Sequence, residues 1–319
     1  MKKVLLIILT LLVVTVLGLM YSEKQHNETS VSKDEVIPTA DAIDNEQTYC
    51  FFGLDTRTPD DRGRSDVIML IRVNKETENI KVVSVYRDTL MDMGGLIKCN
   101  SAYEYGGPFY AMDMLEKNLD LDIDGYVSAE FLSVINMIDA LGGVNLDLTE
   151  EEVRYSNQYI SEMNELYHKD SPLLEPGKQK LNGVQAVGYS RVRYTEGWDY
   201  KRTERQRTIL NLMAEAFKKA DADTQEKVMR IFFEDFYTDM SEQDITNMAD
   251  SVVTYDFAET AGFPRYKKGV TVPGLGSCVA AKDYVRNVTW LHEFLYGDDS
   301  YMPSSEVTET AKAVEGVLN

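Results

Sequence analysis

Two stretches decide the fold: DVIMLIRV at residues 66–73 and IKVVSVY at residues 80–86. Both are rich in β-branched residues, and the polar segment 74–79 between them suits the turn of a hairpin. Upstream, the short apolar run 49–53 reads as a buried strand. Downstream, Phe109, Met112 and Leu115 recur at helical spacing over residues 108–119, with a proline near the start. Residues 130–141 repeat the pattern through Phe131, Val134, Ile135 and Ile138 and stop at Gly142-Gly143. Residues 144–148 are strand-like, and Thr149 followed by Glu152 is a capping-box signature that opens a further helix. Residues 177–183 read as a turn region, 187–194 alternate as a strand does, and 199–220 form a long helix, apolar through Ile209, Leu210, Met213 and Phe217. Beyond it, residues 222–297 read as two helices, a turn region with a strand at 269–272, and a final helix over 280–295. Strands alternating with helices, plus a hairpin, predict an α/β (α+β) fold in which helices cover both faces of a mixed central sheet.

The chain has 319 residues, room for a large core, and its 44% hydrophobic and 27% charged residues are those of a globular protein. With 33 basic and 53 acidic side chains the net charge is −20. A field of that sign disfavours nonspecific binding to nucleic acid and to anionic headgroups, so no nucleic-acid partner is expected. An anionic substrate would have to find a local basic cluster. Three histidines and three cysteines leave little for zinc or a disulfide scaffold. Cys50, Cys99 and Cys278 are expected as buried thiols; if two pair, Cys99 and Cys278 are the candidates, lying in loop-like, Gly-flanked surroundings.

Lys2 and Lys3 precede an uncharged run over residues 4–22. As a helix it would span about 28 Å, close to the hydrocarbon thickness of a bilayer. The basic pair orients it with the N-terminus in the cytoplasm, so the remainder faces outward. A cleavable signal peptide is the alternative, but the run is long and lacks an Ala-x-Ala site. The expected organisation is a membrane anchor over residues 1–22, a solvated tether over 23–45, one domain over 46–298, and a loose tail over 299–319.

No Gly-x-Ser-x-Gly elbow, Walker loop, dinucleotide fingerprint or zincin spacing occurs. Chemistry would fall to carboxylates and arginines. Asp55 follows the first strand with Arg57 close behind, and Asp66 opens the second; across a short loop the two carboxylates could share one hard divalent cation, or serve as ordinary turn residues. Arg87 and Asp88 end the third strand. Arg191 and Arg193, read as strand residues at i and i+2, share a face, and Asp199, Arg202, Arg205 and Gln206 follow on the next helix. Residues 181–207 carry six basic and three acidic side chains, net +3. An internal salt-bridge network would absorb three of those charges; the excess suits phosphate oxygens, which guanidinium forks bind bidentately.

In order and spacing, these pieces resemble the LytR–CpsA–Psr family of bacterial envelope proteins. The matching residues are Gly53-Leu54-Asp55-Thr56-Arg57, Arg64-Ser65-Asp66, Ser84 through Asp88, Lys98 through Tyr103 with Gly106-Gly107, Leu141 through Val144, Leu181-x-Gly183, Tyr189 through Arg193, and Asp199 through Arg202 to Arg205-Gln206. The match covers about residues 50–215. Tyr86 stands where the family usually has proline, and Cys99 where it has an aliphatic residue.

The resemblance implies an extracytoplasmic phosphotransferase of bacterial, Gram-positive type, held in the membrane. It would move a glycopolymer from a polyprenyl-pyrophosphate carrier to peptidoglycan through a phosphodiester, in wall teichoic acid or capsule assembly. Asp55 and Asp66 would hold Mg²⁺, with Mn²⁺ as an alternative. Arg87, Arg191, Arg193, Arg202 and Gln206 would bind the pyrophosphate, with Arg57 and Arg205 as additions and Asp88 as a candidate base. An internal apolar pocket would take the lipid, although Phe131, Leu132, Ile135 and Ile138 form a stripe that is more commonly core. A polyprenyl-pyrophosphate hydrolase and a non-enzymatic lipid-pyrophosphate-binding or regulatory protein are the competing readings.

Overall fold

The computed structural model describes residues 46–56, 62–193, 198–241 and 256–318. The expected anchor and tether and Arg57 lie outside them, and of the two helices expected beyond residue 222 the first falls among the described residues. Among the described residues no helix is long and apolar enough to cross a membrane.

The hairpin forms as its pattern requires. Strand β2 (Arg64–Asn74) pairs antiparallel with β3 (Asn79–Val85), Ile71 opposite Val82, and on its other side with β1 (Glu46–Asp55), Cys50 opposite Leu70. Two short hairpin strands follow, β4 (Leu90–Asp92) and β5 (Leu96–Lys98). Helix α1 (Ser101–Leu119) leads to β6 (Gly125–Glu130), which joins β1 in parallel. Helix α2 (Phe131–Ala140) is followed by β7 (Val144–Leu148), helix α3 (Glu150–Tyr167), β8 (Gly177–Leu181) and helix α4 (Gly183–Ser190). Then come helices α5 (Trp198–Lys219) and α6 (Ala222–Asp235), strands β9 (Phe236–Thr238), β10 (Asp256–Phe263), β11 (Lys267–Val272) and β12 (Gly276–Ala281), and helices α7 (Tyr284–Tyr296) and α8 (Ser305–Glu315). The main sheet runs β10-β3-β2-β1-β6-β9, with β1–β6 and β3–β10 parallel and the other pairs antiparallel.

Strand alternation divides the interior. Cys50, Phe52, Leu54, Ile68, Leu70, Val83 and Val85 pack with α1, α7 and α8 in one core. The second core lies among α2–α6, where Phe131, Ile135, Ile160, Val187, Ile209 and Phe232 meet. The capping box at Thr149 is present, its side chain accepting from the Glu152 amide while Glu152 accepts from the Thr149 amide.

Several expectations are corrected. Residues 177–181 are a strand paired with β7 rather than a turn. Residues 183–190 are helix α4, not strand: Asn182 and Gln185 form a second capping box, and a side chain at Gly183 would meet the Ile135 carbonyl at 2.2 Å. The strand β10 was not anticipated, and residues 280 and 281 belong to β12, so α7 starts only at Tyr284 behind its cap Asp283. The tail is not loose. Val307, Ala311 and Val314 are buried on one side of α8, and Thr310 donates to Asn118 at 2.8 Å. Ser304 caps α8 through the Val307 amide (3.2 Å) and donates its own amide to Asp120 at 2.8 Å. Small apolar residues at helical spacing suffice once an existing core offers them a seat. Cys50, Cys99 and Cys278 are buried free thiols, so the Cys99–Cys278 pair does not form.

Ser304→Ala should cost about 1 kcal/mol through loss of the cap. Urea unfolding measures this, and an unchanged midpoint would mean that Asp120 alone secures the helix end.

Candidate functional site

The Leu54–Ser65 and Asp55–Arg64 pairings bring Asp55 and the start of β2 to one end of the sheet, with a register shift at Gly53. Gly53 is needed there, because a Cβ would lie 2.8 Å from that of Val67. Asp66 is buried. Its Oδ2 accepts from Nη1 of Arg87, which follows β3, and from Nη2 of Arg193, just past α4, at 3.3 Å. Nη1 of Arg202, in α5, lies 3.6 Å from the same oxygen, and its Nη2 donates to the Asp66 carbonyl at 3.2 Å. Asn100, ahead of α1, donates to Oδ1 at 3.4 Å. Burial would push the carboxyl up; the guanidiniums of Arg87, Arg202 and Arg193 outweigh it and hold the pKa at about 2.

Arg191 belongs to a second group. As the C-cap of α4 it lies 3.7 Å from Asp55 and 3.5 Å from Glu162, with its guanidinium over the rings of Tyr159 and Phe131. Arg191 and Arg193 are therefore not side by side on a strand; each serves a different aspartate. Asp88 accepts from Lys98 Nζ at 2.9 Å and sits 3.5 Å from Arg87 Nε. Held by two cations, its carboxylate orients Arg87, which suits positioning better than proton abstraction. Arg205 turns away, bonding Glu152 and the Val192 carbonyl, both at 3.3 Å. Gln206 lines a narrow apolar pocket of about 50 Å³ with Phe51, Val67, Phe131, Val187 and Ile209. From α2, Phe131 and Val134 line this pocket; Ile135 and Ile138 are core, and Leu132 is half-buried. The side chain of Asp199 lies outside the described residues.

Three guanidiniums around one carboxylate leave a local excess of two positive charges. Several nearby polar atoms, Ser65 Oγ, Asn100 Oδ1 and Arg193 Nε, are buried without a hydrogen-bond partner. Such atoms are expensive unless something satisfies them, and donors among them match phosphate oxygens. For a cation, Asp55, Asp66 and Asn100 Oδ1 offer hard oxygens. Among the described residues no group of three or more His, Cys, Asp or Glu could hold a metal, but Mg²⁺ commonly needs only one or two protein carboxylates beside phosphate and water. Lys98, Asn100 and Glu162 were not anticipated as participants. Lys98 and Asn100 lie in a quoted motif, but only the folded loop shows whom they touch.

The model of the LytR_cpsA_psr family matches residues 14–270. The chain is 27% identical over 265 residues to the polyisoprenyl-teichoic acid–peptidoglycan teichoic acid transferase TagU of Enterococcus faecalis, covering 78% of this chain and 82% of that one. It is 35% identical over 163 residues to the TagU of Halalkalibacterium halodurans, covering 50% of this chain and only 49% of that relative. Among solved structures, the LytR-CPS2A-psr family protein YwtF (TagT) of Bacillus subtilis with bound octaprenyl pyrophosphate lipid superposes with a TM-score of 0.59 at 19% identity, over 83% of this chain and 95% of that one. At that identity the likeness speaks for the fold.

Asp66→Asn should destabilise the fold by about 3–5 kcal/mol at pH 7, since it removes the charge that three guanidiniums share. The folded pKa is depressed, so the contribution is full above the unfolded value of about 4 and fades as the pH falls toward 2. Chemical denaturation of both proteins from pH 7 to pH 2 measures the gap; a gap that stays constant would contradict this assignment.

Proposed function

The chain belongs to the LytR_cpsA_psr family, and from that premise we propose that it is an extracytoplasmic phosphotransferase that attaches a glycopolymer to peptidoglycan. The observation that carries this reading is the convergence of Arg87, Arg193 and Arg202 on one buried carboxylate, at the sheet end where an apolar pocket opens. A diphosphate headed by an apolar chain has those same two needs. The names of the relatives and the octaprenyl pyrophosphate bound by TagT support the same substrate class.

In phosphoryl transfer the protein mainly positions groups and neutralises charge. The guanidiniums of Arg87, Arg193 and Arg202 would bind pyrophosphate oxygens, with Asp66 keeping the three forks together while no substrate is bound. Lys98 and Asp88 hold Arg87 in place from behind. Arg191, stacked on Tyr159 and Phe131, would present a further cation beside Asp55. An acceptor hydroxyl attacks the glycan-bearing phosphorus, the bond to the bridging oxygen breaks, and polyprenyl phosphate departs, its newly freed oxygen taking up the proton the hydroxyl releases. The glycan is left on the acceptor through a phosphodiester. Mg²⁺, or Mn²⁺ in its stead, would be held by Asp55 and Asp66 and would neutralise charge on the pyrophosphate. The pocket lined by Phe51, Val67 and Ile209 would receive the first part of the lipid and widen for more. An anchor over residues 1–22 would keep this site beside a carrier embedded in the bilayer.

Arg87→Ala and Arg202→Ala should each lower turnover by about 10²–10³-fold, as expected when one preorganised donor to developing charge is lost. The full chain is incubated with an octaprenyl-pyrophosphate glycan, Mg²⁺ and peptidoglycan oligomers, and mass spectrometry follows the glycan. A Mg²⁺-dependent phosphodiester conjugate is the expected product. Free glycan phosphate without conjugate would make the protein a hydrolase, and intact bound substrate would make it a binding protein.

A further inference from the structure

Among the described residues most large apolar side chains are buried, yet three aromatic residues on one flank are more than half exposed: Tyr105 at 57%, Phe109 at 59% and Tyr237 at 55%. They belong to one neighbourhood. Phe109, on α1, packs edge-on against Tyr126 of β6 with ring centroids 5.7 Å apart. Tyr237, on the edge strand β9, is paired with Ser128 of β6, whose hydroxyl meets that of Tyr103 from α1 at 3.0 Å. Tyr105 precedes the break in α1 at Gly107 (φ 76°) and Pro108, and Phe109 follows it. Phe109 and Tyr237 thus lie along the seam between α1 and the β6–β9 edge, and Tyr105 stands on the first turns of α1, on the side of the break nearer Asn100.

This seam is continuous with the arginine site. Asn100, which touches Asp66, opens the turn that leads to Tyr105. Arg64, two residues before Asp66, pairs with Glu104 at 2.8 Å, and Arg62 donates to the Tyr105 carbonyl at 3.3 Å. Going outward from Asp66, the surface passes from guanidiniums, through an exposed Arg–Glu pair, to exposed rings.

We propose that this aromatic shelf holds the acceptor, a peptidoglycan glycan strand, with sugar rings stacked on Tyr105, Phe109 and Tyr237. The inference rests on the transferase reading and adds to it the place of the second substrate. Sugar rings present apolar C–H faces with hydroxyls at their rims. Exposed aromatic faces bordered by a carboxylate and a guanidinium match both parts, and contiguous exposed apolar surface on a soluble domain marks an interaction site. A lipid surface fits less well. Interfacial binding needs a basic cluster at the flank, whereas this chain carries a net charge of −20, Arg64 beside the shelf is paired with Glu104, and Arg62 donates to the Tyr105 carbonyl. The sugar rings themselves carry no charge, so stacking them on the shelf sets no anion against Glu104. The shelf's start beside the arginines places a bound strand where one of its hydroxyls can reach the pyrophosphate.

The test uses the full chain, the single variants Phe109→Ala and Tyr237→Ala, and the double variant. Calorimetry measures binding of soluble, uncross-linked peptidoglycan strands, and a parallel titration measures octaprenyl pyrophosphate. Each exposed ring should be worth roughly five- to tenfold in strand affinity, with lipid affinity and melting temperature unchanged. In turnover assays the acceptor KM should rise while the lipid KM stays constant. Strand binding that is equal in wild type and double variant, or absent from wild type, overturns the shelf. So does protection of Phe109 and Tyr237 from hydroxyl-radical labelling when the anchored chain sits in anionic phospholipid vesicles without strands, because the rings would then face a bilayer. If wild type binds strands through these rings but makes no conjugate, the shelf stands and the transferase reading falls.

Discussion

One carboxylate holds this site together. Asp66 is buried and accepts from arginines contributed by three separate segments: the end of β3, the exit of α4 and the first turns of α5. Without it three cations would repel one another in a region of low polarity; with it they form a compact array still two charges in excess. The carboxylate is thus a placeholder with less charge than the array can accept. The proposed dianionic diphosphate would complete the neutralisation without the protein having to rearrange from a distance, because the donors are already gathered.

The scaffold explains why these segments meet. Antiparallel pairing of β1 and β2 puts Asp55 and Asp66 at the same sheet end, and the parallel step from β1 to β6 brings α2 and Phe131 alongside. Gly53, at the register shift, lets the two strands approach where the apolar pocket begins. The arginine array and the apolar pocket therefore share a few residues of backbone. Arg191 shows the joint most directly: its charge faces Asp55 and Glu162 while its flat faces lie on Tyr159 and Phe131.

The central hairpin was legible because β-branched runs of that length, broken by a polar turn, have few other uses. Helix α1 was legible by spacing only from Pro108 onward; its first turns carry Gly106 and Gly107, which argue locally against a helix. Helix α4 was misread because Val187-Gly188-Tyr189-Ser190 alternates apolar and small residues. The stronger local signal was Asn182 followed by Gln185, a capping pair that commits the chain to helix before the alternation begins. That misreading carried into the site, where two arginines thought to act together are parted by the helix end. The residue types of the site were readable from charge excess against an acidic background. Their partnerships were not: whether Arg205 faces phosphate or Glu152 depends on the rotation of α5 and the position of α3, which no local pattern encodes.

The C-terminal helix has a consequence for how the molecule is assembled. Contacts such as Thr310 with Asn118 and Ser304 with Asp120 join points 192 and 184 residues apart. A chain delivered from its N-terminus can pair β1, β2 and β3 early, since their partners are near in sequence. The first core stays open along α1 until α8 arrives, nearly two hundred residues later. Closing so long a loop is slow and comes with few local rewards. A chain shortened by even its last two turns would keep every arginine of the site and yet leave the apolar flank of α1 facing water.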